Sequence, residues 1–549
     1  IVLALNSITL CQWSNDPYVN TRVSYWGVSP KALADGNGGA FVSFENFSYD
    51  STFTNLQKIN YDGTIKWNTS IHIPYEGNHQ STEAIIPSDS NNIILAYGAS
   101  KWYFDSLGHE IIISAPYVQK FDSDGNKLFG FSGIRLSIDT TKLSGYAYEV
   151  TSDNSGGIFC FWHTFIPLAG PYTDKIYIQH ISKDGQRLWG NNGILIADSV
   201  FSVLSMKILT DDSGGIFVLY HQNQSEFYIE NYDSTGTLKW RIIDGLVLEH
   251  SKWVKDGEGG IIISTAKQEY PQNKLILHRI SNTGGRIWGE NGIILDDSVT
   301  NIHPEAASVL LNSDSTITAL WDNGWYPVDD LFIQRFDLLG NKLWNNNILV
   351  SDVISSKADI GLLESEMNSN ILIWSDRRTP SGFYAQRINK FGTKVWGDSD
   401  RAITNQSPGT NAVISDGNNG AIVIWADDEP LNGILAQQIS KNGNLGEVLT
   451  SINDDNYFNR NPNSFKLFQN YPNPFNPSTI INYSVKDAGL VKIKVYDILG
   501  SDVATLVNET KEAGNFAVEF NPANLPSGVY IYTLQVNGFT SSKKMLLMK

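Results

Sequence analysis

The sequence predicts an all-β protein, and two observations support that prediction. Glycine is frequent (46 of 549 residues) and aromatic residues make up 12% of the chain, a composition that suits short strands joined by tight turns. A glycine turn followed four residues later by an aromatic residue also recurs, ending at Trp67, Phe129, Trp189, Trp240, Trp288, Trp344 and Trp396. Self-similarity at a spacing of about 50 residues is typical of an architecture built from repeated units.

Each repeated unit contains four predicted strands. A glutamine, or Glu or His in its place, stands six residues before each turn glycine. The eight turn glycines are 48 to 62 residues apart: Gly63, Gly125, Gly185, Gly236, Gly284, Gly340, Gly392 and Gly443. A second turn lies upstream in each unit, as in "SDNSGGIFCFW". Its Asp, Asn and Gly residues tolerate the positive φ of a hairpin turn, and the apolar run after them fits a strand buried on both faces. Four antiparallel strands per unit form the blade of a β-propeller.

The two ends of the repeat region predict how the ring closes. The last unit has Glu447 where the aromatic residue should stand, and the chain start "CQWSNDPYVNTRVS" supplies Trp13 instead. We therefore expect the N-terminal strand to complete the last blade, which leaves no open sheet edge. The count is eight blades, or seven if the degenerate unit at 83–130 is not a true blade.

The repeated residues are expected to be structural. A large aromatic side chain in every unit fits a plug packed between neighbouring blades. The glutamine is expected to bond to backbone or to its counterpart in the next blade, and the turn aspartates to cap their own hairpins. One aspartate per turn supplies too few oxygens for a calcium site.

The first 11 residues lie outside the repeat. Residues 1–10 are apolar but too short to span a bilayer, and they predict the end of a secretory signal peptide with cleavage near Cys11 and Gln12. "ITLC" is also similar to a bacterial lipoprotein signal with Cys11 lipidated, although Leu10 departs from that pattern. The propeller is assigned to 12–449, a polar linker to 450–464 and a β-sandwich to 465–549.

The last segment alternates in "VKIKVYD" and "VYIYTLQV", which predicts a small Ig-like β-sandwich. Its motifs "NYPNPFNPST", "VYDILGSDVATL" and "LPSGVYIY" and its basic-apolar end resemble the type A C-terminal sorting domain of type IX secretion cargo. The residues that carry the resemblance are Asn470, Pro472, Pro474, Phe475, Pro477, Gly500, Gly528, Tyr530, Lys543 and Lys544. The resemblance implies the type IX machinery and its surface peptidase as partners, and a secreted or outer-membrane surface location in a Bacteroidetes-like bacterium. The units upstream resemble uncharacterised bacterial propellers, which implies no activity.

Composition and motifs exclude several functions. A net charge of −17 argues against nucleic acid, because phosphate binding needs clustered Lys and Arg. No HExxH, GxSxG or P-loop motif occurs, and the nine histidines have no metal-ligand spacing. We therefore predict no catalytic residue, no metal ligand, no membrane span and no cofactor, and whether calcium binds "ADDE" (426–429) stays open. Cys160 is expected to be a small core residue.

Strand alternation places the two turn types on one edge of the ring and the variable loops on the other, where function usually lies. Exposed aromatic rings there could stack on sugars, and polar groups could hydrogen-bond to them. The aromatic candidates are Trp102, Tyr103, Tyr172, Trp325 and Tyr326, and the polar ones are Asp322, Asp376, Arg377, Arg378, Asp427, Asp428 and Glu429. The sequence favours a binding module for glycan or another extracellular polymer. The alternatives are a polysaccharide-active enzyme using Asp322, Asp376 and Asp427, and a structural envelope protein.

Overall fold

The computed structural model divides the chain into two compact units, Ile1–Val448 and Leu449–Lys549. The first unit is described over 13–48, 51–67, 71–72, 79–104, 110–138, 144–164, 174–200, 206–223, 226–244, 247–267, 273–299, 307–322, 330–405, 408–427 and 433–446. The second is described over 465–467, 470, 475, 478–512, 514–522 and 525–547. The predicted signal peptide and the predicted linker at 450–464 lie outside these residues.

The first unit consists of antiparallel four-stranded blades, numbered here along the chain. Six blades are separate sheets, and blades 1 and 2 are joined into one eight-stranded sheet by a parallel pairing of Thr52 with His79. Blades 1 and 2 are β2 (Val28–Ala34), β3 (Ala40–Ser48), β4 (Ser51–Ile59), β5 (Ile71–His72), and β6 (His79–Pro87), β7 (Ile93–Phe104), β8 (Glu110–Phe121), β9 (Ile134–Arg135). Blades 3 and 4 are β10 (Ser144–Ser152), β11 (Ile158–Thr164), β12 (Asp174–Ile181), β13 (Ile194–Val200), and β14 (Met206–Thr210), β15 (Ile216–Asn223), β16 (Glu226–Tyr232), β17 (Leu238–Asp244).

Blades 5 and 6 are β18 (Val247–Lys255), β19 (Ile261–Lys267), β20 (Asn273–Ile280), β21 (Ile293–Val299), and β22 (Ser308–Leu311), β23 (Ile317–Asp322), β24 (Leu331–Phe336), β25 (Ile348–Leu349). Blade 7 is β26 (Lys357–Ser365), β27 (Ser369–Asp376), β28 (Gly382–Ile388) and β29 (Arg401–Thr404). Blade 8 is β30 (Pro408–Ser415), β31 (Ala421–Asp427), β32 (Ile434–Ile439) and the N-terminal β1 (Thr21–Ser24). Short 3-10 turns, Asp89–Asn91 and Glu366–Asn368, replace the glycine hairpin in blades 2 and 7.

The ring closes as the sequence predicts. Strand β1 pairs with β32, with Thr21 opposite Ala436. The unit at 83–130 forms the complete blade 2, so the count is eight. Eight apolar clusters each join two consecutive blades, and the cluster of Val23, Phe44 and Ile424 joins blade 8 to blade 1. The core of the propeller therefore lies between blades rather than at the ring centre, and every blade depends on two neighbours.

The repeated aromatic residue is a plug between blades, as predicted. The Trp396 ring is buried, and its indole Nε1 donates to the Lys441 carbonyl of the next blade at 2.9 Å. A Cβ at Gly443, in that same turn, would lie 2.7 Å from the Trp396 ring. The equivalent contact of Trp13 with the turn at Gly63 joins blade 8 to blade 1. The turn glycine is thus required because the neighbouring ring occupies the space of a side chain.

The repeated glutamine and aspartate also have the predicted partners. Gln386 donates to the carbonyl of Gly397 at 3.0 Å and accepts from the amides of Arg387 and Trp396, so it fastens the irregular outer strand of its own blade. Turn aspartates cap their hairpins: the Asp153 carboxylate accepts from the Gly157 amide at 2.8 Å. The glutamine therefore bonds to backbone, and not to its counterpart in the adjacent blade.

A third repeated contact was missed by the sequence analysis. In every blade the residue after the glutamine, or after its substitute, reaches the acidic residue of the first turn. The pairs are Lys58–Asp35, Lys120–Asp89, His180–Asp153, Asn231–Asp211, Arg279–Asp256, Arg335–Asp314, Arg387–Glu366 and Gln438–Asp416. Five residue types occupy the position, so no single residue type marks it in every blade. Only the fold shows that their shared property is the ability to donate a hydrogen bond to a carboxylate.

Two edges of the ring follow from this topology. The turn edge carries the hairpins between the first and second and between the third and fourth strands of each blade. The loop edge carries the connections between the second and third strands and the links between blades. Among the described residues, no helix is both long and apolar enough to span a bilayer.

The second unit is a β-sandwich, as predicted. One sheet contains β33 (Lys466–Leu467), β34 (Thr479–Val485) and β37 (Gly514–Phe520), and the other contains β35 (Gly489–Tyr496), β36 (Asp502–Lys511), β38 (Gly528–Val536) and β39 (Phe539–Leu547). Ile481 and Tyr483 of the first sheet share a buried core with Ile493 and Tyr532 of the second. The alternation in the sequence thus places one face of each sheet in a common core.

Candidate functional site

Three of the predicted aspartates occupy equivalent positions on the loop edge. Asp322, Asp376 and Asp427 each end the second strand of their blade, in blades 6, 7 and 8. Their surroundings differ, because Asp376 is buried while Asp322 and Asp427 are partly exposed. Equivalent sequence position therefore does not give them equivalent chemistry.

Asp376 belongs to a buried cluster of charges in blade 7. The Arg378 guanidinium pairs with the Asp376 carboxylate and with Asp400 Oδ2, the latter at 2.8 Å. Ser351 Oγ donates to the same Asp400 oxygen at 2.6 Å, and the Arg378 guanidinium carbon lies 4.0 Å from the Tyr384 ring centroid. The cluster binds the link from blade 6 to the outer part of blade 7, so its first role is to hold the loop edge together.

The electrostatics of this cluster keep both partners ionised. Burial raises the pKa of Asp376, but hydrogen bonds from Arg378 and Ser355 outweigh it, and the pKa lies below its usual range. Burial lowers the pKa of the Arg378 guanidinium, and the two carboxylates reverse that shift, so the pKa is raised. A carboxylate in this state is a poor proton donor, and a ligand would contact Asp376 only by displacing Arg378.

The remaining predicted residues are distributed in three ways. Arg377 is exposed, and its amide donates to the Ser356 carbonyl at 3.0 Å. Trp102 and Tyr103 were expected in a loop, but the structure places them in strand β7, opposite Ile112 and Ile111. Outside the described residues lie Tyr172, Trp325, Tyr326, Asp428 and Glu429.

The correction for Trp102 and Tyr103 has a physical reason. Segment 99–104 carries aromatic residues and segment 110–114 carries three consecutive isoleucines, and both compositions favour strands. The second and third strands of blade 2 are therefore longer than those of the other blades. They form one long antiparallel ladder, Ile93–Phe104 against Glu110–Phe121. The apparent loop shrinks to 105–109, which is outside the described residues.

The loop edge also contains aromatic residues that the sequence analysis missed. Tyr25 and Trp26 lie there, in the N-terminal segment that closes the ring. Tyr18 precedes β1 in the same segment, and all three side chains are exposed. Among the tryptophan side chains that the structure describes, Trp26 alone is exposed, at 59%. A signal was present, because these aromatics stand outside the repeat pattern that accounts for Trp13.

Tyr25 and Trp26 lie in the short link from β1 to β2, where blade 8 meets blade 1. Ser24 Oγ donates to the Trp26 carbonyl at 2.7 Å and accepts from the Trp26 amide at 3.3 Å, which closes a tight turn. Gly27 follows with φ of 140°, and a Cβ there would lie 2.7 Å from the Phe44 ring. The turn is therefore held on both sides, and its two aromatic rings project into solvent.

Polar groups surround this turn. The Arg22 guanidinium carbon lies 5.3 Å from the Tyr25 ring centroid. On its other side, Arg22 Nη1 packs against Gly433, where a Cβ would approach it to 2.3 Å. The Gly433 carbonyl accepts from the Asp427 amide at 2.9 Å, so the backbone of a predicted candidate lies close to Arg22. We call Arg22, Tyr25, Trp26 and Asp427 the seam surface.

A second group of charges lies on the inner strands of blades 1 to 4. Burial raises the pKa of Glu83 to about 7, against weaker lowering by Ser81 and Lys31, and Glu45 and Glu149 raise it further. Glu149 in turn pairs with Lys207. Within the described part of the chain, no group of three or more His, Cys, Asp and Glu side chains is arranged to hold a metal ion.

In the sandwich, the residues that carry the family resemblance are mostly structural. The Asn470 amide donates to Tyr532 Oη at 2.7 Å, and the Phe475 amide donates to the Leu546 carbonyl at 2.9 Å. Tyr530 Oη donates to the Pro526 carbonyl at 2.9 Å. Gly500 has φ of 84° in the turn after β35, Gly528 begins β38, and Lys543 and Lys544 lie in β39. Outside the described residues lie Pro472, Pro474 and Pro477.

Comparison with solved structures gives distant likenesses. Prolyl oligopeptidase B from Galerina marginata aligns at 9% identity over 63% of this chain and 46% of that chain, with a TM-score of 0.36, so the chain spans about half of its length. PorZ, a surface component of the type-IX secretion system of Porphyromonas gingivalis, aligns at 10% identity over 98% and 100%, with a TM-score of 0.24. A polysaccharide lyase of family PL25 aligns at 9% identity over 78% and 96%, with a TM-score of 0.37. Likenesses of this size identify neither a ligand nor a reaction.

No curated protein matches the chain. Residues 469–548, in contrast, match the secretion system C-terminal sorting domain. The match covers the sandwich, whose two sheets and buried core are described above. The chain is therefore cargo of the type IX secretion system, and it is a secreted or cell-surface protein of a Bacteroidetes-like bacterium.

Proposed function

We propose that the propeller of this exported protein is a binding module that holds an extracellular glycan on its loop edge without cleaving it. The observation that carries the proposal is the exposure of Tyr25 and Trp26, in the link from β1 to β2 on that edge. Aromatic rings left in water on a rigid scaffold are typical of interaction sites. The closed ring holds them in place before a ligand arrives, which lowers the entropy cost of binding.

The state of Asp376 supports binding over catalysis. A glycoside hydrolase needs two carboxylates about 5 to 10 Å apart, one of them able to donate or accept a proton. Asp376 is buried, and Arg378 holds it in its ionised form. An enzyme that used this carboxylate would first have to break its ion pair, so the polysaccharide-active alternative is disfavoured.

The test applies the purified full-length chain to immobilised polysaccharides, with and without EDTA, and scores both retention and released reducing ends. We expect retention without release. Release of reducing ends would favour the polysaccharide-active enzyme, and loss of retention in EDTA would place calcium in the site, with "ADDE" as its first candidate. The absence of both retention and release would overturn the proposal in favour of a structural envelope role.

A further inference from the structure

We propose that the seam surface is the subsite for the glycan, and that it takes a neutral polysaccharide whose sugar rings stack on Trp26 and Tyr25. The inference rests on the proposed glycan-binding function and goes further, because it names both the residues and the class of sugar. None of the aromatic residues involved is part of the repeat that builds the blades.

Trp26 differs from the other described tryptophans in the exposure of its side chain. Among the repeated indoles, those of Trp189, Trp344 and Trp396 are buried plugs between blades. The indoles of Trp321, Trp374 and Trp425, in second strands, are almost completely buried. The Trp26 side chain is 59% exposed and the Tyr25 side chain 72% exposed, although polar residues could occupy the same two positions of the turn. Neither ring contributes to a described apolar cluster, so packing of the blades does not explain them.

The rings of Tyr25 and Trp26 are held in place by the turn that carries them. Both hydrogen bonds of Ser24 close the turn at Trp26, and Gly27 admits no side chain beside Phe44. The Arg22 guanidinium on Tyr25 restricts that ring further. A ligand that stacks on these rings therefore costs little ordering of the protein.

The residues around the two rings indicate the class of ligand. Polar residues lie around the rings. They are Arg22, whose guanidinium contacts Tyr25, the partly exposed Asp427, whose backbone amide binds the Gly433 carbonyl, and Asn46, whose Oδ1 is buried beside Gly27. This mixture of flat apolar faces and hydrogen-bonding groups matches the two kinds of surface on a sugar. A protein or lipid partner would favour a larger and more continuous apolar area.

The negative charge of the chain favours a neutral sugar over an anionic one. The chain carries a net charge of −17 at pH 7, and the loop that follows Asp427 adds two further acidic residues to the sequence. An anionic polysaccharide would be repelled by this field at low and moderate salt. A neutral chain of sugars experiences no such repulsion and offers hydroxyl donors to carboxylate acceptors.

The experiment compares retention of the full-length chain and its variants on insoluble β-glucan, mannan and xylan, with alginate and polygalacturonate as anionic counterparts. Trp26→Ala should weaken retention on at least one neutral polymer by tenfold or more, and Tyr25→Ala to a smaller extent. Phe391→Ala is the matched control, because Phe391 is an equally exposed aromatic residue on the turn edge. Retention of the Phe391→Ala variant should stay within twofold of that of the parent.

A second readout does not depend on a variant. Mild oxidation of tryptophan in the parent should modify Trp26 before the buried indoles, and the bound polysaccharide should protect it, as seen by peptide mass spectrometry. Equal retention of the parent and Trp26→Ala, or no protection of Trp26, would overturn the seam surface while leaving glycan binding intact. Retention only on anionic polymers would overturn the neutral class. Retention of the parent on no polymer would overturn both proposals.

Discussion

Single residues of this protein are defined by their neighbours more than by their type. Asp376 and Glu83 are both acidic side chains at the ends or inner edge of a blade, yet their pKa values shift in opposite directions. Asp376 has Arg378 as a partner, so its ionised form is favoured. Glu83 has Glu45 and Glu149 as neighbours and is shielded from water, so its neutral form is favoured.

The pKa of Glu83 leads to a prediction about pH and stability. Because burial raises this pKa to about 7, the folded state binds more protons than the unfolded state between pH 4.5 and 7, and stability falls as the pH rises through that window. Glu83→Gln removes the charged form and should raise the free energy of unfolding at pH 8 by about 1–2 kcal/mol. At pH 4.5 it should change little. Urea denaturation followed by circular dichroism at both pH values measures the difference.

A matched control for this experiment is Glu149→Gln. Glu149 is paired with Lys207 and is also one of the like charges that raise the pKa of Glu83. Its replacement loses the ion pair, so it should raise the free energy of unfolding at pH 8 less than Glu83→Gln does. A Glu83→Gln variant with the same effect at both pH values would show that the ionisation of Glu83 does not oppose folding.

At the scale of elements, the blade is held by contacts that repeat around the ring. The aromatic plug, the glutamine that fastens the outer strand, and the pair between the first turn and the third strand occur in successive blades. The aromatic and the glutamine were predicted because one residue type recurs at one spacing. The turn pair escaped prediction because Lys, Arg, His, Asn and Gln all serve at its position.

The plug between blades 7 and 8 is expected to be a large contributor to stability. Trp396→Ala should lower the free energy of unfolding by about 3–5 kcal/mol, since it leaves a cavity and removes the hydrogen bond to the Lys441 carbonyl. Urea denaturation at pH 7 measures the change. Trp26→Ala is the control, because its ring is exposed and the same replacement should cost less than about 0.5 kcal/mol. Equal losses in the two variants would contradict the plug.

At the scale of the whole molecule, two independent units have two different tasks. The propeller is closed by its own N-terminal strand, and the sandwich has a separate core. The closing segment does more than remove an open edge, because it also carries Tyr25 and Trp26 to the loop edge. Closure and the candidate site thus depend on the same stretch of chain.

The division of tasks predicts the effect of a deletion. Removal of 465–549 should leave the protein in the periplasm, because the sorting domain that matches at 469–548 is lost while the propeller keeps its own core. Immunoblots of periplasm, cell surface and medium measure this in the native host. The full-length Trp26→Ala variant should be exported like the parent. A truncated protein that still reached the medium would contradict the routing.

The architecture of this protein follows from patterns that are visible in its sequence alone. A repeated Gln, Gly and aromatic at one spacing predicted eight blades, the displaced Trp13 predicted their closure, and the motifs of the last segment predicted export. These features are periodic or local, and a single chain displays such information directly.

The accessibility of the loop-edge residues, and their pairing with other side chains, become visible only in the folded chain. It buried Asp376 beneath Arg378, placed Trp102 in a strand, and brought Arg22 and Trp26 of the chain start beside Asp427 near the end of the propeller. The physical reason is that exposure and ion pairing depend on contacts between blades that are far apart in the sequence. A ring joins the two ends of its chain, so the residues that meet at its seam share no local pattern.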